Sequence, residues 1–159
     1  MHATALVWEA GCLEHRSGAG HPESPQRLVA IRSGLEAAGL WGRCGRLRAR
    51  PATDEELLRC HSQAYLDRVA ADLASGRDQL STGDTPLSPG SERAARLAAG
   101  GALVAVEAVM AGPLRQAFVA VRPPGHHASG SRGMGFCLYN SIALAARHAQ
   151  AVCGAERVL

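Results

Sequence analysis

The residues of this chain best suited to moving protons near neutral pH are two adjacent imidazoles, His126 and His127. They lie in the stretch Arg122-Pro123-Pro124-Gly125-His126-His127-Ala128. An apolar run over residues 117–121 precedes them and reads as a buried strand. Pro123 and Pro124 lack N–H donors, so the strand cannot continue past them as a central sheet member. Gly125 then allows a sharp turn or a close approach. The spacing therefore predicts a stiff loop at the carboxyl end of a strand, where open α/β sheets bind their ligands. In extended backbone, adjacent side chains point to opposite sides. That geometry predicts different jobs for the two histidines and argues against joint chelation of one metal.

The elements that must position this loop follow from local signals. Residues 3–8 and 47–51 read as strands, and residues 11–20 as a loop. In His21-Pro22-Glu23-Ser24-Pro25-Gln26-Arg27, Ser24 suits a helix N-cap and Pro25 the first helical position. The face of that helix would be Leu28, Ile31, Leu35 and Ala38, with Gly39 as its stop. Thr53-Asp54-Glu55-Glu56 is a capping box. Ser62 is a second N-cap, for a helix with the stripe Tyr65, Leu66, Val69 and Leu73, and His61 beside it reads as structural. Residues 76–90 form a loop rich in turn formers. Residues 91–111 predict the longest helix, with Leu97, Val104, Ala108 and Ala111 on one side and small residues at 98–102 for close packing. Residues 140–151 predict another, in whose last turn His148 complements the dipole. Val158 and Leu159 read as the opening of a further strand. The alternation implies α/β architecture with a mainly parallel sheet.

A chain of 159 residues with 47% apolar and 19% charged residues suits one globular domain. The net charge of +3 comes from arginines, with no lysine. Their scatter predicts no nucleic-acid partner. Five cysteines without CxxC spacing predict reduced thiols and a cytoplasmic setting. No basic stretch followed by an apolar core opens the chain, so no signal peptide is expected. The most apolar segment, 97–111, is short for a membrane span and contains Glu107, so no membrane is expected either.

Beyond the histidines comes Gly133-Met134-Gly135-Phe136-Cys137-Leu138-Tyr139-Asn140. Together the two stretches resemble the histone deacetylase superfamily, which includes acetoin-utilisation proteins and acetylpolyamine amidohydrolases. The resemblance implies a three-layer α/β/α fold and zinc-dependent hydrolysis of acetyl or acyl amides. It implies His126 and His127 as the catalytic pair. Spacing leaves open which is the base; in the completed site His127 would take the water proton and His126 would orient. Gly135 and Phe136 would line the acyl channel, Asp84 would grip substrate at the rim, and Arg27 would line an internal cavity. Substrates of this kind are acetylated lysine, polyamine or another small acylamine. The family's zinc ligands are two aspartates and a histidine, the first two in an Asp-x-His motif on the strand that would begin at residue 158. No ligand to the metal is therefore expected in this chain. Residues 1–159 are expected to be the N-terminal part of one domain, truncated before that motif. The alternative is a catalytically inactive fragment or a binding protein completed by a partner.

Overall fold

The computed structural model describes residues 4–159; Ala3, read above as the start of a strand, lies outside them. Three parallel strands form one sheet in the order β2-β1-β3. They are β1 (Thr4–Trp8), β2 (Gly45–Leu47) and β3 (Gln116–Ala120). Leu6 sits opposite Arg46 on one side and Phe118 on the other. The centre of β1, Ala5-Leu6-Val7, is buried on both faces, as a run of apolar residues in a covered parallel strand should be. The helices are α1 (Gln26–Ala37), α2 (Asp54–Leu57), α3 (Gln63–Ala74), α4 (Ser91–Ala111) and α5 (Ser141–Ala151). A 3-10 helix, Ala10–Glu14, occupies part of the segment expected to be loop.

Helix α4 is the spine. Gly100 packs so closely on the Arg50 carbonyl that a Cβ there would overlap it, and a Cβ on Gly101 would come within 3.0 Å of Val7. The small residues thus let α4 lie against the β1–β2 layer. Leu97 and Leu103 are buried, whereas Val104 and Ala108 are half-buried and Ala111 is exposed, so the expected face is shifted. At 21 residues α4 is longer than the segment read as too short to span. By length and composition alone it could cross a membrane, yet it packs as a core helix on α5, β1 and β3.

Several strands and caps differ from expectation. β2 overlaps the expected 47–51 only at Leu47, because its bounds follow its register with β1. β3 is a half-exposed outer strand, with Phe118 47% exposed, and not the buried strand expected. Val158 and Leu159 are exposed and form no strand. At α1, Pro25 already has helical angles (φ −55°, ψ −31°) and no side chain caps the helix. Only Leu28 of its expected face is buried; Ala38 is exposed.

Candidate active site

The backbone of the histidine loop is held from three sides. The N–H of Ala128 donates to the Gly125 carbonyl (3.1 Å), closing a turn over residues 125–128. A Cβ on Gly125 would overlap the Tyr139 carbonyl, so the turn can sit against residues 139–141 only with glycine there. Asn140 ties both sides together. Its Oδ1 accepts from the Ala143 N–H (3.0 Å) to cap α5, and its Nδ2 donates to the Ala128 carbonyl (2.8 Å). His61, buried, accepts the Asn140 N–H on Nε2 (3.0 Å), in keeping with a structural role. The hydroxyl of Tyr65 donates to the Leu138 carbonyl (2.7 Å).

The imidazoles of His126 and His127 are exposed, with ring centroids 4.2 Å apart and planes inclined by 53°. They do not point to opposite sides. Strand alternation does not operate in a turn, and the expectation built on it is corrected here. Their surroundings still differ. His126 joins Glu23, Arg27, Val121, Pro124 and Ile142 around a cavity of about 370 Å³. His127 lies over Gly135, where a Cβ would come within 2.6 Å of its ring. Gly135 (φ +60°) and Phe136 (φ +65°) both take left-handed backbone angles, which swing the Phe136 ring edge-on to His21 (centroids 4.5 Å).

Asp84 and Arg27 reach the same region. Asp84 Oδ1 accepts the Gly135 N–H (2.6 Å), so the aspartate is tied to the glycine beneath His127. Arg27 is partly exposed and donates to the Val121 carbonyl (3.1 Å) and to Glu23 (3.4 Å), on the wall of the His126 cavity. Cys137 straps the Gly135 backbone to the histidine turn: its Sγ accepts from the His127 N–H (3.4 Å) and donates to the Gly135 carbonyl (3.3 Å). Burial raises its thiol pKa and keeps it neutral.

The largest element missed by sequence reasoning is beneath the loop. Arg122 is fully buried. Its Nε and Nη2 hold both oxygens of Glu23 (2.9 and 2.7 Å), and its Nη1 donates to the carbonyls of Cys12 (3.0 Å) and His15 (2.5 Å). Burial alone would raise the Glu23 carboxyl, but the bonds and charge of Arg122, with Ser17 and His15, outweigh it and lower the pKa. His15 is driven down to about 4, first by burial and then by the Arg122 charge, so it is neutral at neutral pH. Ser91 Oγ accepts the Ser88 N–H and Ser17 Oγ donates to Glu23, which leaves His15 accepting on Nδ1 and donating on Nε2. The 21–27 segment is thus more than a helix start: its glutamate is the counter-ion of the arginine that opens the histidine stretch.

The arrangement sets two imidazoles, groups able to carry protons, beside a glycine backbone held by a carboxylate. Among the described residues, no three His, Cys, Asp or Glu side chains stand close enough to hold a metal ion.

Three comparisons bear on this site. Residues 21–159 match the family model described as histone deacetylase domain. The chain is 43% identical over 157 residues to a histone deacetylase-like amidohydrolase of Pseudomonas aeruginosa, covering 99% of this chain and 41% of that protein. It is 37% identical over 164 residues to the human polyamine deacetylase HDAC10, covering all of this chain and 24% of that one. The crystal structure of the HDA15 HD domain superposes with a TM-score of 0.85 at 39% identity, over 95% of this chain and 44% of the other. The chain therefore spans about half or less of the length of these relatives. With a domain match over most of its length and the parallel α/β fold of a solved relative, the chain belongs to the histone deacetylase family.

Proposed function

We propose that the protein carrying this chain hydrolyses acyl amides, removing acetyl groups from lysine or from small amines such as polyamines, with zinc as cofactor. The observation that carries this reading is the juxtaposition of His127, Gly135 and Asp84: an imidazole, a wall without side chain and a carboxylate, held together at the carboxyl end of β3. The names of the relatives support the substrate class, one being an amidohydrolase and another a polyamine deacetylase.

The described residues offer no metal-ligand set, so the ligands are assigned to parts of the protein other than these, and no step is derived through the metal. What these residues do is move and direct protons. His127, over the channel glycine, takes the proton of the attacking water and returns one to the leaving amine. His126, on the cavity side with Arg27, orients and balances charge. Phe136 and His21 wall the acyl chain. Asp84 already holds the Gly135 N–H and keeps a second oxygen for the substrate amide or ammonium. The five free cysteines fit a reducing, cytoplasmic setting.

The test is hydrolysis of an acetyl-lysine peptide and an N-acetylated polyamine by the whole protein, before and after zinc removal. Turnover that is lost on chelation and restored by zinc is expected. Asp84→Asn should raise KM about tenfold, the scale of one charged hydrogen bond, with the melting temperature within a few degrees. Absence of hydrolysis of any acylamine by the zinc-loaded protein would overturn the reading.

A further inference from the structure

The only two tryptophans of the chain meet on the β2 side of the sheet, Trp8 and Trp41 lying edge to face with centroids 5.9 Å apart. Trp8 is fixed by its Nε1–H, which donates to the Leu28 carbonyl (3.1 Å). The Arg32 guanidinium stands 5.2 Å from the Trp8 centroid and 5.1 Å from that of Trp41. The Arg46 guanidinium lies 3.8 Å over Trp41. Stacking occupies the face of a guanidinium and leaves its in-plane N–H donors available, already oriented for a carboxylate.

Charge in this region is uneven. Arg50 is matched by Glu56 (2.6 Å) and Glu107 (3.5 Å), and Arg32 by Glu36 (2.9 Å). Arg46 and Arg48 are exposed, and among the described residues no carboxylate lies within ion-pair distance of either. They stand two positions apart along β2 and its extension, hence on one face. With Trp8, Trp41, Arg32 and a single carboxylate, Glu9, they line a cavity of about 460 Å³. Beside it, among the described residues, β2 pairs only with β1, so its outer edge carries free backbone donors and acceptors.

We propose that this arginine–tryptophan patch and the free edge of β2 form a docking surface for an acidic peptide segment bound in extended form. Backbone pairing along the edge supplies affinity, and carboxylates on alternate residues meet Arg46 and Arg48. A peptide fits better than a nucleic acid. Within this patch the two arginines without a carboxylate partner follow the line of the strand edge, and a phosphodiester chain has no N–H and C=O pattern to match such an edge. This surface uses none of the residues of the proposed active site, so the two readings stand or fall separately.

The experiment is fluorescence anisotropy of a labelled octapeptide of alternating Glu and Thr with the whole protein at low salt. Parallel titrations use its Lys/Thr counterpart, a copy N-methylated at alternate residues, and a single-stranded oligothymidylate. Binding of the Glu/Thr peptide alone is expected, weakened at least tenfold by Arg46→Ala/Arg48→Ala. The pair Arg68→Ala/Arg115→Ala, which removes the same charge elsewhere, should change it less than twofold. Hydrolysis and melting temperature should be unchanged in all four substitutions. No binding of the Glu/Thr peptide, equal loss in both pairs, or equal binding of the N-methylated copy would overturn the proposal. Tighter binding of the oligonucleotide with the same arginine dependence would overturn it too and assign the patch to nucleic acid.

Discussion

Arg122 shows what a single residue in a motif can hide. It adjoins the catalytic candidates in sequence, yet its partners Glu23 and Cys12 are 99 and 110 positions away, beyond the reach of any spacing argument. His15 was legible only as a loop residue for the same reason: its burial against Arg122 and Ser91 is a property of the fold. By contrast His126, His127, Asp84, Gly135, Phe136 and Arg27 are candidates from the sequence, because family motifs mark them. Their mutual contacts were not legible, since the turn that brings the two imidazoles together reverses the strand geometry assumed for them. His15 gives an acid signature. Its folded pKa, about 4, lies below the ordinary value of about 6.5, so the unfolded chain binds the proton more readily. Its contribution is whole above pH 6.5 and is lost as pH falls from there towards 4. Glu23, also lowered, adds loss at the acid end. Urea unfolding at pH 7 and pH 5 should show a drop that is smaller in His15→Gln than in the natural protein. An equal drop in both would mean His15 is not buried neutral.

At the scale of elements, what is local was legible and what depends on pairing was not. The capping box at Thr53 and the cap at Ser62 form as their sequences dictate, because each involves a side chain and an N–H three residues on, while Asn140, expected as the first helical residue, is the cap of α5. β2 and β3 were misplaced or misjudged because strand bounds and burial follow from neighbours. His148 was read as a dipole-complementing residue of the last turn of α5. It is instead buried between Arg59 (2.6 Å) and Glu107 (2.8 Å), locking α5 to α4. Asn140 joins element to site. Asn140→Ala removes the cap of α5 and the bond to Ala128, and should cost about 2 kcal/mol, roughly one for each. Asn140→Asp keeps the cap and loses the Nδ2 donor, so it should fall between. Chemical unfolding of the three proteins decides: equal stability of the Asp variant and the natural protein would show that the bond to the histidine turn contributes nothing.

Across the whole molecule, the sheet presents β3 as an outer strand beside an apolar cavity of about 630 Å³ lined in part by Met110, Val119, Ile142 and Val158. The histidine turn stands at the carboxyl end of that strand, next to this surface. The described residues thus hold the groups proposed to transfer protons and to line the acyl channel and its rim, without a cluster able to bind metal. The central claim is that His127 transfers protons and does not hold the metal. The most direct measurement is turnover and bound zinc together, in the whole protein carrying His127→Ala. The account predicts a fall in kcat of about 10²–10⁴, the range for a lost general acid–base, with zinc content and melting temperature near those of the natural protein. Unchanged turnover, or zinc lost along with the activity, would contradict it.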